Sequence, residues 1–231
     1  MNKTVLIKLS GESLAGSKGF GLDFEYINKV CLEIKKIYDM GIRVGIVCGG
    51  GNFLRGRDTK EMDRETADYT GMMATVMNSL VLKDVFTKLE CEVYNQSGLD
   101  ISIIDSVNSE KAIDALNNGK IVIFGGGTGK PFFSTDTGAS LRAIDIKADM
   151  IIKLTNVDGV YDKDPNVYSD ALMYDKITYQ EVIDKKIGVM DLAAIEMCMN
   201  NDIEIVVMNI DLENGLVKVI NGEKIGTKIL K

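Results

Sequence analysis

A chain of 231 residues, 45% of them hydrophobic and only two of them proline, can bury a sizeable core and offers no linker composition at which to divide it. The net charge of −7 argues against nucleic acid as a partner, since proteins that bind it present a basic face. Histidine is absent, which removes Ser-His-Asp and Cys-His catalysis, histidine-ligated metals and phosphohistidine chemistry together.

In chain order, residues 5–9 read as a first strand, closing in Ser10-Gly11-Glu12. Over 23–38, Ile27, Val30, Cys31, Ile34, Ile37 and Tyr38 follow the helical period, and Gly41 suits the stop. Residues 44–48 form a second strand that runs into Gly49-Gly50-Gly51-Asn52. A long helix is expected over 66–89, with Met72, Met73, Val76, Met77, Leu80 and Val81 on one side. A strand near Val93 and a helix over 110–117 lead to the apolar strand 121–124, which ends in Gly125-Gly126-Gly127-Thr128-Gly129. A helix opens near Thr137. A strand over 150–154, helices over 179–186 and 192–199, and a strand over 205–208 complete the pattern.

Strands separated by helices of this length imply a parallel sheet with right-handed crossovers, and hence one α/β domain over 1–231. Ligands of such sheets bind beyond the carboxyl ends of the strands, where all three glycine turns fall. No apolar run approaches the roughly 20 residues of a membrane span, and the N-terminus enters a strand with no room for a signal peptide. Cys31, Cys48, Cys91 and Cys198 form no CxxC pair, so neither a zinc site nor a disulfide framework is expected. A cytoplasmic protein is the expectation.

Chemistry concentrates in four segments. At 125–137 a strand passes through glycines and Lys130 into Ser134, Thr135, Asp136 and Thr137, a suitable opening for a helix that holds an anion. It is not a Walker A loop, because Phe124 and Pro131 stand where Gly and Ser or Thr are needed. Lys8-Leu9-Ser10-Gly11-Glu12 reads either as a lysine aimed at phosphate beside two cradling amides or as a surface lysine before a turn. Gly49, Gly50 and Gly51 with Arg55 read as a close approach to a phosphate that Arg55 forks, or as a flexible loop with a solvated arginine. After Lys153, residues 154–165 carry the turn formers Asp158-Gly159 and Asp164-Pro165; the loop is a plain connection or a wall, with Tyr161, for a flat ring. The methionine-bearing helix reads as core or subunit interface, and Asp68 as a carboxylate near its N-terminus.

Taken in this order, the segments at 8–12, 49–52, Asp68 with Gly71-Met72, 125–137 and Val157-Asp158-Gly159-Val160-Tyr161 resemble the bacterial UMP kinases of the amino acid kinase superfamily. The resemblance spans almost the whole chain and is most specific at 128–136. It implies a three-layer α/β/α sandwich with a mainly parallel central sheet. It further implies ATP as donor with Mg²⁺, UMP as acceptor, a role in pyrimidine nucleotide biosynthesis, and assembly as a homohexamer.

By the same resemblance, Lys8, Leu9, Ser10, Gly11, Gly51 and Arg55 hold ATP phosphates, and Thr155, Asn156, Tyr161 and Asp164 line the rest of the ATP side. Gly50, Asp68, Thr128, Gly129, Lys130, Pro131, Phe132, Phe133, Ser134 and Thr135 form the UMP site, with both oxygens of Asp68 suited to a ribose diol. Lys8, Lys153 and Arg55 are the catalytic charges, with Asp136 holding the lysines by ion pairing. Gly16, Ser17, Lys18, Gly19, Phe20 and Gly21 match a segment linked in the family to GTP activation. Two stretches depart from the pattern. Lys130 stands where asparagine is frequent, and 83–94 lacks the histidine and some arginines of GTP-activated relatives. Another small-molecule kinase of the superfamily, or a non-catalytic nucleotide- or anion-binding storage protein on the same fold, is the alternative.

Overall fold

The computed structural model of the chain describes residues 3–54 and 61–231. Its first half comprises β1 (Thr4–Leu9), the short α1 (Gly11–Leu14), α2 (Phe24–Asp39), β2 (Arg43–Cys48), α3 (Arg64–Lys88), β3 (Val93–Ser97), β4 (Asp105–Ser106) and α4 (Ser109–Asn117). The second half comprises β5 (Ile121–Gly125), α5 (Thr135–Asp145), β6 (Met150–Thr155), β7 (Lys176–Thr178), α6 (Tyr179–Asp184), α7 (Leu192–Asn200), β8 (Glu204–Asn209), α8 (Gly215–Ile220) and β9 (Thr227–Leu230).

Local chemistry sets most helix starts. Asp23, Asp63, Asn108, Ser134, Thr178 and Asp191 each accept a backbone N–H of the first turn they precede, satisfying donors that the helix cannot. Gly41, at φ +81°, carries the chain out of α2 through a conformation that costs glycine least.

Among the described residues the strands form one nine-stranded sheet in the order β4-β3-β5-β2-β1-β6-β8-β9-β7. Every pairing is parallel except β8 with β9. Helices cover both faces. Val5, Ile7 and Leu9 of β1 pack with α2, α3 and α8, while Leu6 packs with α4, α5, α6 and α7. The fold is therefore the three-layer α/β/α sandwich with a mainly parallel sheet.

The long helix departs from its expected facing. Met72 and Val76 are buried, but Met73 and Met77 are each 44% exposed, next to Tyr69 at 40%. The buried side of α3 instead contains Thr75, Asn78 and Ser79. Apolar period alone misassigned it because hydrophobic residues lie on both sides of this helix.

Candidate active site

Side chains alternate between faces along a strand, so Lys8 shares the face of Leu6, and Lys153 that of Ile151. Both apolar neighbours belong to the core under α5. The parallel register places Lys8 directly beside Lys153 on adjacent strands. Above them, the first turn of α5 supplies Asp136. Lys8 Nζ lies 2.9 Å from Asp136 Oδ1 as a charge contact, and Lys153 Nζ donates to Oδ2 at 2.9 Å. Lys153 also donates to the Val189 carbonyl.

All three side chains are largely buried, at 11%, 14% and 17% exposure for Lys8, Lys153 and Asp136. Burial pushes the Asp136 carboxyl up, but Lys8 and Lys153 outweigh it and hold the carboxyl below its ordinary range. Burial, aided by the Lys8 charge, pushes the Lys153 ammonium down against the pull of Asp136. The trio carries two positive charges and one negative at the carboxyl edge of the sheet. A second carboxylate, Asp191, also acts on Lys153 and favours its charge.

The glycine turns meet at the same edge, because β5, β2 and β1 are neighbours. Gly11 sits against the second turn so closely that a Cβ there would lie 2.5 Å from Gly51 N and 2.6 Å from Gly49 O. Gly50 likewise abuts Gly71 O of α3 at 2.5 Å from its missing Cβ. Leu9 and Ser10 lead from the β1 lysine into this contact; Ser10 precedes α1 in extended conformation. Arg55 lies outside the described residues.

In the third turn, Gly126, Gly127 and Gly129 take positive φ, and the Gly126 amide donates to Thr75 Oγ1 at 2.8 Å. Thr128 Oγ1 accepts the Lys130 amide and donates to its carbonyl. The Lys130 side chain is exposed, and Pro131 is half-buried. Phe132 and Phe133 are exposed, and Phe132 adopts φ +71°, uncommon for a residue with a Cβ. Its amide donates to Asp68 Oδ2 at 2.8 Å. Arg64 Nε donates to the same oxygen, also at 2.8 Å. Asp68 Oδ2 thus accepts two hydrogen bonds from within the chain. Ser134 is the N-cap of α5, accepting Thr137 N at 3.1 Å and donating to Asp191. Thr135 lies over Gly49, with Oγ1 3.7 Å from where a Gly49 Cβ would be.

On the other side of the lysines, Thr155 Oγ1 accepts the Val157 amide at 3.0 Å, and Tyr161 bridges to Met173. Asp164 Oδ1 accepts the Asn166 amide at 2.9 Å, an ordinary turn. Asn156, Gly16 and Ser17 line a groove of about 1140 Å³ beside α2 that does not include either paired lysine. Within 16–21, Lys18 donates to the Leu22 carbonyl, Gly19 and Gly21 take positive φ, and Phe20 meets Phe53 edge-on at 5.9 Å.

Several residues of this edge escaped the sequence reading. Asp191 accepts from Thr137 Oγ1 at 2.9 Å and Ala194 N at 3.0 Å, pinning α5 to α7. Asn52 and Asn78 exchange side-chain hydrogen bonds of 3.0 and 2.8 Å, and Asn78 also donates to Gly49 O at 2.8 Å. The available signal was Thr75, Asn78 and Ser79 inside an apolar helix, polar groups that a helix buries only when they have partners.

Among the described residues no cluster of three or more metal-ligating side chains gathers. Asp136 is taken by two lysines and Asp191 by hydroxyls and an amide. That donor set makes no all-protein cage for a divalent ion.

A carboxylate-bridged lysine pair faced by glycine turns, on a parallel sheet between two helical layers, defines a site for phosphate-bearing ligands. The chain belongs to the amino acid kinase family, whose model matches residues 3–209. It is 45% identical over 229 residues to a protein of Psychrobacter cryohalolentis named uridylate kinase, covering 97% of this chain and 95% of that one. Among solved structures it is similar to the UMP kinase from Bacillus anthracis, with TM-score 0.96, 38% identity, and coverage of 99% of this chain and 96% of that one. It is similar also to the UMP kinase from Ureaplasma parvum, with TM-score 0.93, 35% identity and full coverage of both chains.

Proposed function

We propose that the protein transfers the γ-phosphoryl group of ATP to UMP, releasing ADP and UDP. The observation that carries this is the pair of largely buried lysines, Lys8 and Lys153, in register on adjacent strands at the sheet edge where the glycine turns meet, with Asp136 between them. A UMP phosphate oxygen attacks the γ-phosphorus while the bond from that phosphorus to the β–γ bridging oxygen breaks, and ADP leaves with the electron pair. The attacking oxygen is already anionic near neutral pH, so no general base is needed and the absence of histidine is no obstacle. The protein's task is in-line positioning and neutralisation of charge on the moving phosphoryl group.

Lys8 and Lys153 face that charge, and Asp136 keeps their ammonium groups directed and apart. The amides of Ser10, Gly11 and Gly51, with Arg55, hold donor phosphates. Thr155, Asn156, Tyr161 and Asp164 line the nucleoside side of the donor. Gly50, Asp68 and residues 128–135 hold UMP. Mg²⁺, when bound, supplies further charge neutralisation on the donor phosphates.

One sheet runs from β1 to β9, which supports a single domain over 1–231. The exposed Tyr69, Met73 and Met77 on α3 support self-association, as in a homohexamer. A cytoplasmic role in pyrimidine nucleotide synthesis, and effector binding at 16–21, complete the proposal. A coupled ADP-release assay with ATP and Mg²⁺ against UMP, CMP, dUMP, acetylglutamate, glutamate and aspartate tests it. UMP is expected to be the preferred acceptor. Turnover of an amino acid and none of UMP would refute it, and tight nucleotide binding without turnover would favour a storage protein.

A further inference from the structure

Arg64 and Asp68 stand one turn apart at the start of α3, a spacing at which ion pairs usually mean little. Three observations set this pair apart. The Asp68 side chain is only 14% exposed, although Arg64 is 49% exposed. The oxygen that accepts Arg64 Nε, Oδ2, also accepts the amide of Phe132, 64 residues further along the chain. The Arg64 guanidinium lies over the Phe132 ring, 5.8 Å from its centroid. Phe132 holds φ +71° while making these contacts, a conformation that persists in such a residue only when its surroundings enforce it. Oδ1, by contrast, has no partner among the described residues.

We infer that Arg64 is a positioning residue for the acceptor site: it latches the 128–134 loop onto α3 through Asp68 Oδ2 and the Phe132 ring, leaving Asp68 Oδ1 for a hydroxyl of the acceptor's sugar. The inference rests on the UMP reading above and deepens it. The guanidinium suits this double task because its edge donates to carboxylate while its face covers an aromatic ring. A carboxylate whose one oxygen is anchored presents the other in a fixed direction. The sugar then meets an ordered acceptor and does not bear the entropy of ordering the loop.

The test compares Arg64→Ala with Lys88→Ala, which deletes an exposed pair of the same spacing (Lys88 with Asp84, 2.6 Å) at the far end of the same helix. Arg64→Ala is expected to raise the KM for UMP about tenfold, with the change falling on that constant rather than on kcat or the KM for ATP. Lys88→Ala is expected to alter none of the three by more than twofold. Hydrogen exchange of the Phe132 amide, followed without nucleotide, should accelerate at least fivefold in Arg64→Ala and not in Lys88→Ala. A KM for UMP within twofold of wild type in the Arg64 variant, or unchanged exchange at Phe132, overturns the latch. If the wild-type protein does not use UMP, the functional reading fails on its own, and the exchange measurement alone decides whether Arg64 orders the loop.

Discussion

Asp136→Asn leaves Lys8 and Lys153 side by side with no carboxylate between them, each having had one of its oxygens 2.9 Å away. At an effective dielectric constant of 20, each lost attraction amounts to about 6 kcal/mol before desolvation is counted. Much of that is offset in the wild type by the cost of burying three charges, and breaking a buried pair is typically destabilising by about 3–5 kcal/mol. For a chain of this size each kcal/mol shifts Tm by roughly 2–4 °C, so a fall of roughly 6–20 °C is expected at pH 7.

The pH dependence has a definite sign. The Asp136 carboxyl is held below its ordinary range, so its stabilisation is complete above the ordinary aspartate pKa and is lost only as pH falls through the lower, folded-state value. The gap between wild type and variant should therefore be full at pH 6–7 and close in strong acid. In the variant, Lys153 loses the group that favours its charge, so its lowered pKa drops further. Between that value and the ordinary lysine range the unfolded chain binds more protons, and the variant regains stability as pH rises. Thermal melts of both proteins at pH 2, 7 and 9.5 measure this. A variant melting within about 1 °C of wild type at pH 7, or a gap that widens toward pH 9.5, would refute the reasoning.

Lys8→Ala is expected to lower kcat by about 10²–10³ with a much smaller rise in the KM for UMP, because its charge meets the transferring phosphoryl group; steady-state rates within a few-fold of wild type would reduce Lys8 to a packing residue. Gly11→Ala forces a methyl group to within 2.5 Å of the Gly51 amide and 2.6 Å of the Gly49 carbonyl, both backbone. The first two turns must separate, and a rise of at least tenfold in the KM for ATP is expected, with a lower Tm; unchanged values of both would show that the turns do not form one cradle.

Much of this protein was legible along the chain. The strands at β1, β2, β5 and β6 announce themselves as apolar runs, and the glycines after them mark where backbone must come close to something. Those signals are local, because burial pattern, turn chemistry and capping depend on neighbours a few residues away. The order of Lys8, the glycine turns and 125–137 also carried the family resemblance.

Three features were decided only by the tertiary structure. Lys8 and Lys153 are 145 positions apart, and nothing local states that the parallel register sets them opposite each other on one face. The facing of α3 was hidden: Thr75 and Ser79 donate to carbonyls of their own helix, but Gly126, Asn95 and, for Asn78, Gly49 and Asn52 supply the partners that complete its buried polar side. Nothing near Asp68 in the sequence states that its Oδ2 accepts the amide of Phe132, 64 residues further along. In each case the deciding energy is a contact between residues far apart in sequence. A polar side chain's role is set by which partner the fold brings within 3 Å, and that distance is a property of the packed structure rather than of the local chain.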